Sequence, residues 1–199
     1  DSYKRMIKYV TKAENYIKKC KLNSKKINIF NKKNYRVDIG KLQNHIRKIY
    51  YKNTNEKWII KYNGKKEDIL FSNLKNLKTM FSKGPVTPDH VIRIKSSPLI
   101  IDTINNITDG FIERSIIKYQ NEYKKYFQKY QNTIKNSKIS DPLPRIIILP
   151  NIGYFSIGLT QKEEKISNDI FISMKDSIID ANYVSTFKSI NQKEIFKME

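Results

Sequence analysis

The chain has 199 residues, carries a formal net charge of +20, and is 39% hydrophobic and 12% aromatic. It is long enough for one domain or two small lobes with a real core, and too apolar for wholesale disorder. With one cysteine, Cys20, it can form no internal disulfide, and no apolar run approaches the length of a membrane span.

The lysines run from Lys4 to Lys197 rather than gathering in one tail, and they accompany an excess of Asn and Ile. That pattern reads first as compositional bias on a solvated surface. A nucleic-acid partner is disfavoured, though the charge keeps it as an alternative. The single cysteine fits a reducing, cytoplasmic compartment. The start, Asp1-Ser2-Tyr3-Lys4-Arg5, has no initiator Met and no signal peptide, which reads as a piece of a longer protein.

Met6, Ile7, Val10, Ala13, Ile17 and Cys20 recur at helical spacing, predicting an amphipathic helix over 2–21 that packs on a core. A polar connector spans 22–36. A second helix runs from about Asp38 to Tyr51, with Ile39, Leu42, Ile46 and Ile49 on one side. Trp58 to Tyr62 reads as a strand. Asn63-Gly64 is a hairpin signal, so Glu67 to Phe71 should return as its partner strand. Leu74, Leu77, Met80 and Phe81 mark a short helix that Gly84-Pro85 ends.

Next comes Asp89-His90-Val91-Ile92-Arg93-Ile94-Lys95, leading to the apolar run Pro98 to Ile101. Read as extended backbone, it points Asp89, Val91, Arg93 and Lys95 one way and His90, Ile92 and Ile94 the other. Arg93 and Lys95 could then hold an anionic group of a substrate, with Asp89 and His90 as catalytic candidates. The plainer reading is a buried strand in which Asp89 pairs with a neighbouring cation.

After a loop around Asn105-Asn106, Gly110 to Asn132 reads as a long helix. Its aromatic stripe from Tyr119 to Tyr130 suits a core or interface better than base stacking. Arg145 to Leu149 is a strand buried on both faces. Pro150 to Gly158 is a glycine-punctuated loop with room for a short strand. Thr160 and Glu163 form a capping box that starts a helix reaching about Ala181. Gly153 and Gly158 have the spacing of a phosphate loop, but Leu159 stands where its lysine belongs. Two separated histidines and one cysteine form no recognisable zinc set, so no metal ligand is assigned.

Two segments resemble a known family. Thr87 to Lys95 is similar to the TPDHVIRTK segment of bifunctional class II aldolase/short-chain dehydrogenases, the rhamnulose-1-phosphate aldolase/lactaldehyde dehydrogenase fusions, although Ile94 replaces their Thr. Asp141 to Pro150, with Gly153-Tyr154-Phe155 and Gly158, resembles their DPAPRVVLVPGLGLFAAG segment. The resemblance implies an α/β or α+β fold, class II aldolase-like, with helices on a small mixed sheet. It also implies two lobes: 1–83 as the end of an aldolase-like domain, and 84–199 as a second aldolase-like lobe leading to a dehydrogenase. The parent would use zinc and NAD on a phosphorylated sugar, and this chain would bind neither cofactor. Its partners would be the flanking aldolase and dehydrogenase halves, with a homo-oligomer also open. The segment Gly153 to Thr160 resembles the family's zinc-histidine loop with Asn151 or Ile152 in the histidine position. The other class of function is a purely structural or oligomerisation module.

Overall fold

The computed structural model describes residues 1–23, 37–101 and 108–199, with the side chains of 21–23 excepted. Its elements in chain order are α1 (Ser2–Asn23), α2 (Ile39–Thr54), β1 (Ile59–Asn63), α3 (Lys66–Ser72), α4 (Leu77–Phe81), α5 (Pro88–Ile94), β2 (Leu99–Ile100), α6 (Asp109–Tyr130), β3 (Ile146–Leu149), β4 (Gly153–Gly158), α7 (Gln161–Val184) and α8 (Gln192–Met198). The fold is the expected mixed α/β one: helices packed on a small four-stranded sheet. Most of the 22–36 connector and the loop around Asn105-Asn106 lie outside the described residues.

The sheet order is β1-β4-β3-β2. β1 and β3 both run antiparallel to β4, while β2 and β3 are parallel and joined through α6. A parallel pair needs a crossover of this kind, since a tight turn cannot reverse the chain twice. Strands from either side of residue 84 share this sheet, because β1 pairs with β4.

Alternation along the strands supplies two cores, one on each face. Ile147, Leu149, Phe155 and Ile157 meet Leu42, Ile46, Ile49 and Tyr50 of α2 and Ile112 and Ile116 of α6. Ile146, Ile148 and Tyr154 meet Phe71, Phe81 and Ile94, together with Phe171, Met174 and Ile178 of α7. All four residues of β3 are fully buried, as its unbroken apolar run predicts.

Two expectations are corrected. Glu67 to Phe71 is helix α3, not a returning strand. Asp68 accepts the Lys65 N–H at 3.2 Å, and Glu67 and Asp68 lie in the first turn, where the helix dipole favours anions. The partner of β1 is β4, ninety residues on. Helix α1 forms over the expected residues, but its stripe is not packed on a core. Met6, Ile7 and Val10 are 55%, 47% and 52% exposed. Helix α8 has no counterpart in the sequence reading. Asn191 caps it, and Phe196 seats among Tyr126, Phe127 and Tyr130 of α6, with ring centroids 5.6–6.0 Å apart. The aromatic stripe is therefore packing, in keeping with its spacing.

Candidate functional site

The central segment is a helix, and this overturns the extended reading of Asp89, His90, Arg93 and Lys95. Thr87 is the N-cap, Pro88 occupies the first turn, and Asp89 adds an acid there. Those are helix-start signals, and they outweigh the apparent alternation. The Thr87 N–H donates to His90 Nδ1 at 3.0 Å, and the Thr87 hydroxyl lies 2.6 Å from the same nitrogen. Nδ1 is thus an acceptor, which puts the ring proton on Nε2, and Nε2 is buried with no hydrogen-bond partner. Burial lowers the pKa of His90 despite the Thr87 bond and the nearby Asp89 charge. The neutral ring serves as a cap.

The four residues do not converge. Asp89 and Arg93, one turn apart, face solvent, and Ile92 is 53% exposed beside them. His90, Val91 and Ile94 turn inward. Lys95 follows the helix with φ 68° and ψ 170°, a conformation that L residues adopt only under constraint.

The constraint delivers Lys95 into a buried polar cluster. Its Nζ donates to Tyr123 Oη at 3.2 Å and to Ser140 Oγ, lies 3.6 Å from Glu199 Oε1, and stands 4.4 Å above the Tyr123 ring. Tyr123 donates to Glu199 at 2.6 Å. Burial pulls the Lys95 pKa down, opposed by Glu199 and Asp141. Burial raises that of Tyr123, helped by its bond to Glu199. Beside this cluster Asp141 and Arg145 form a bidentate pair at 3.0 and 2.5 Å, with the guanidinium 4.6 Å from the Trp58 ring centre. Burial works against the Asp141 carboxylate, but Arg145 prevails and holds its pKa below the usual value. Tyr123, Ser140 and Glu199 carried no sequence signal, being 17 to 76 residues apart. The i,i+4 spacing of Asp141 and Arg145 around two prolines was a usable hint.

Tyr123 also lines a cleft of about 590 Å³. One wall is the edge strand β2 with its approach, Ser96 to Ile100. The other is the face of α6 carrying Arg114, Lys118, Tyr119, Glu122 and Tyr126. Tyr119 crosses between the walls and donates to Ser97 O at 2.8 Å. Thr108 caps α6 by accepting the Phe111 N–H, so the helix start fixes the placement of the cationic residues that follow.

The glycine segment is strand β4, and its glycines serve the backbone. Gly153 has φ 124°, and a Cβ there would strike the Asn63 carbonyl of the neighbouring strand. A Cβ on Gly158 would strike the Glu164 N–H at the start of α7. The space a phosphate loop keeps for its ligand is occupied by the chain itself, so these residues do not fit a dinucleotide. Zinc fits no better. Among the described residues no three His, Cys, Asp or Glu side chains come together, His45 pairs with Asp109 at 3.5 Å, and His90 is used as a cap. Where the resemblance placed a histidine, β4 is preceded by Ile152, whose N–H donates to Leu149 O in a tight turn.

A family described as "Aldolase class II, second domain" matches residues 38–199. The chain belongs to that family. The match takes in every described element except α1. The chain is also similar to the uncharacterized oxidoreductase YuxG of Bacillus subtilis (strain 168), at 24% identity over 150 residues. That alignment covers 72% of this chain and 21% of YuxG, so the chain spans about a fifth of that relative's length. No solved structure matches it. Among the described residues no helix is long and apolar enough to cross a membrane.

Proposed function

We propose that the chain is the second aldolase domain of a longer, cytoplasmic sugar-degrading enzyme. In that enzyme a class II ketose-1-phosphate aldolase is joined to an NAD-dependent short-chain aldehyde dehydrogenase. The observation that carries this reading is the family match over residues 38–199, together with similarity to one fifth of a protein named an oxidoreductase. Zinc and NAD would be held outside this domain. The division of the chain at residue 84 into two aldolase-like lobes belongs to the same reading.

Of the four central residues, His90 and Lys95 are positioning residues in this proposal. His90 holds the start of α5, and Lys95 fixes Tyr123 at the wall of the cleft. Asp89 and Arg93 offer an exposed ion-pairing face to a flanking domain. A structural or oligomerisation role is the second reading, favoured by the uncovered apolar stripe of α1. Exposed lysines occur on α1, α2, α6 and α7 alike, which favours either reading over a nucleic-acid partner.

The test is to express the complete reading frame and assay two reactions: release of dihydroxyacetone phosphate from ketose 1-phosphates, and NAD reduction by the aldehyde product. Both activities in one polypeptide are expected. A complete frame with neither activity overturns the reading and leaves the structural role.

A further inference from the structure

We infer that α1 binds the surface of an anionic phospholipid bilayer, lying flat on it with its apolar side in the headgroup boundary. The helix belongs wholly to this chain, so the inference does not depend on which reactions the longer protein performs. Every residue from 2 to 20 is exposed except Ile17 and Cys20, which are half-buried, and α7 is the element the helix rests on. Most of the circumference of α1 is therefore open to a partner, and its composition says of what kind.

At about 100° per residue, the side chains of α1 sort into two arcs. Tyr9, Met6, Ile17, Val10, Tyr3 and Ile7 fall in one half of the circumference. Lys18, Lys4, Lys8, Lys19, Lys12 and Arg5 fill the other half, with no apolar residue among them. Arg5 and Lys18 border the apolar arc on its two sides, and Tyr9 and Tyr16 stand along one margin. Phenol rings and long cationic stems suit such a margin, since each joins an apolar body to a polar tip that reaches water. Glu14, beside Ile7 at the other margin, is the one carboxylate. Six cations against one carboxylate give a net charge of +5 over residues 2–20. The lysine-rich composition of the chain does not impose this, because α7 carries three cations against five carboxylates. Helix α2 is comparably basic, but its apolar side is already used in the core through Leu42, Ile46 and Ile49.

The charge selects the occupant. A second copy would set +5 against +5 around the paired stripes. A neighbouring protein would have to ring an apolar groove with carboxylates. An anionic bilayer offers apolar depth and negative headgroups together, along the whole helix. Twenty-two residues of helix span roughly 33 Å, so the cations reach several headgroups at once. The helix lies on the bilayer rather than crossing it, since among the described residues no helix is long and apolar enough to span one.

The experiment is co-sedimentation of the chain, and of the complete reading frame, with vesicles of phosphatidylcholine alone or with about one-third phosphatidylserine. Saturable binding to the phosphatidylserine vesicles is expected for both proteins, falling as salt rises, with little binding to phosphatidylcholine. Arg5→Gln/Lys18→Gln should weaken it about ten- to thirtyfold. Met6→Ser/Val10→Ser should weaken it at least about tenfold by removing apolar groups from the headgroup boundary. Lys48→Gln/Lys52→Gln, the same loss of charge from the exposed side of α2, should leave binding within about twofold. Thermal unfolding followed by Trp58 fluorescence separates lost binding from lost fold. Any of four results overturns the inference. The chain fails to bind phosphatidylserine vesicles. The α2 variant weakens binding as much as the α1 variants, which reduces it to net charge. The chain binds but the complete frame does not, which makes the stripe the seat of a flanking domain. The chain is a dimer in solution that Met6→Ser/Val10→Ser dissociates, which makes the stripe the seat of a second copy.

Discussion

Helices α1 and α7 start from the same sequence signal and end in opposite surroundings. Both exceed twenty residues, and both repeat apolar side chains at helical spacing. In α7 that repeat places Phe171, Met174 and Ile178 at zero exposure against β3, β4 and α4. In α1 Met6, Ile7 and Val10 stay about half exposed, and α7 is the element it rests on. Periodicity shows which face of a helix is apolar. It does not show whether the same chain covers that face. The family match begins at residue 38, after α1 and before α2, so the division between covered and uncovered helix coincides with the edge of the domain.

The largest effect that could break this contrast is Phe171→Ala. Its ring packs against Tyr154 at 4.9 Å, Phe71 at 5.9 Å and Phe81 at 6.1 Å, so truncation opens a cavity ringed by aromatics. A loss of about 3–5 kcal/mol is expected in urea denaturation. A loss under 1 kcal/mol would mean that α7 is no better anchored than α1.

Next is a buried polar contact at the C-terminal end of α5. Lys95→Met leaves the Glu199 carboxylate in a site where its side chain is 11% exposed, with Tyr123 as the remaining donor. Breaking such a pair should cost about 3 kcal/mol, whereas the double variant Lys95→Met/Glu199→Gln should recover much of that loss. Additive losses would show that Lys95 acts through its strained backbone rather than through the charge pair.

How much of this was legible depended on whether the signal was local. The start of α2 near Asp38, the Thr160 start of α7 and the doubly buried β3 follow from residues within a few positions of one another, and the structure keeps all three. The α/β class follows from them. The errors share a cause. Asn63-Gly64 promised a hairpin, but the strand that satisfies β1 lies in 153–158, and pairing at that distance leaves no mark in a short window. The Asp89–Lys95 stretch was read for alternation, while Thr87-Pro88-Asp89 was announcing a helix. The site suffered most. Lys95 is read in the sequence as an anion-binding candidate, while Tyr123, Ser140 and Glu199, its partners in the structure, reach it only through the fold. The cleft takes its lining from α4, the approach to β2, α6 and α8 together.

His90 gives a smaller and pH-dependent effect on α5, the short helix that packs on α7. Its folded pKa lies below the ordinary value of 6.5, so the unfolded chain takes up the proton first as the solution is acidified. Its stabilisation is complete above pH 6.5 and is lost as pH falls through the folded value. His90→Asn keeps a side-chain acceptor for the Thr87 N–H and removes the titration. At neutral pH it should cost about 1 kcal/mol, the size of a cap. Between pH 6.5 and 5 its stability should fall less steeply than that of wild type. The Asp141 carboxylate, also lowered, contributes a loss of the same sign, but only near and below its own range around 3.8. Parallel slopes from pH 6.5 to 5 would show that His90 is not the titrating group.

The smallest effect belongs to α1. Met6→Ser/Val10→Ser removes two apolar side chains that already meet water, so little apolar surface changes environment on unfolding. The stability of the sheet and its two cores should move by no more than about 0.5 kcal/mol, while helical content over residues 2–23 falls slightly because serine is the poorer helix former than methionine. Denaturation followed by Trp58 fluorescence reports the core alone, since Trp58 is buried beside Tyr50 at 5.5 Å and far in sequence from α1. Far-ultraviolet circular dichroism reports both. Coincident, unshifted transitions in the fluorescence and a small loss of amplitude in the dichroism would keep α1 outside the cooperative unit. A shift of the Trp58 transition comparable to that of Phe171→Ala would place α1 inside it, and the contrast between the two helices would then be one of exposure without a difference in anchoring.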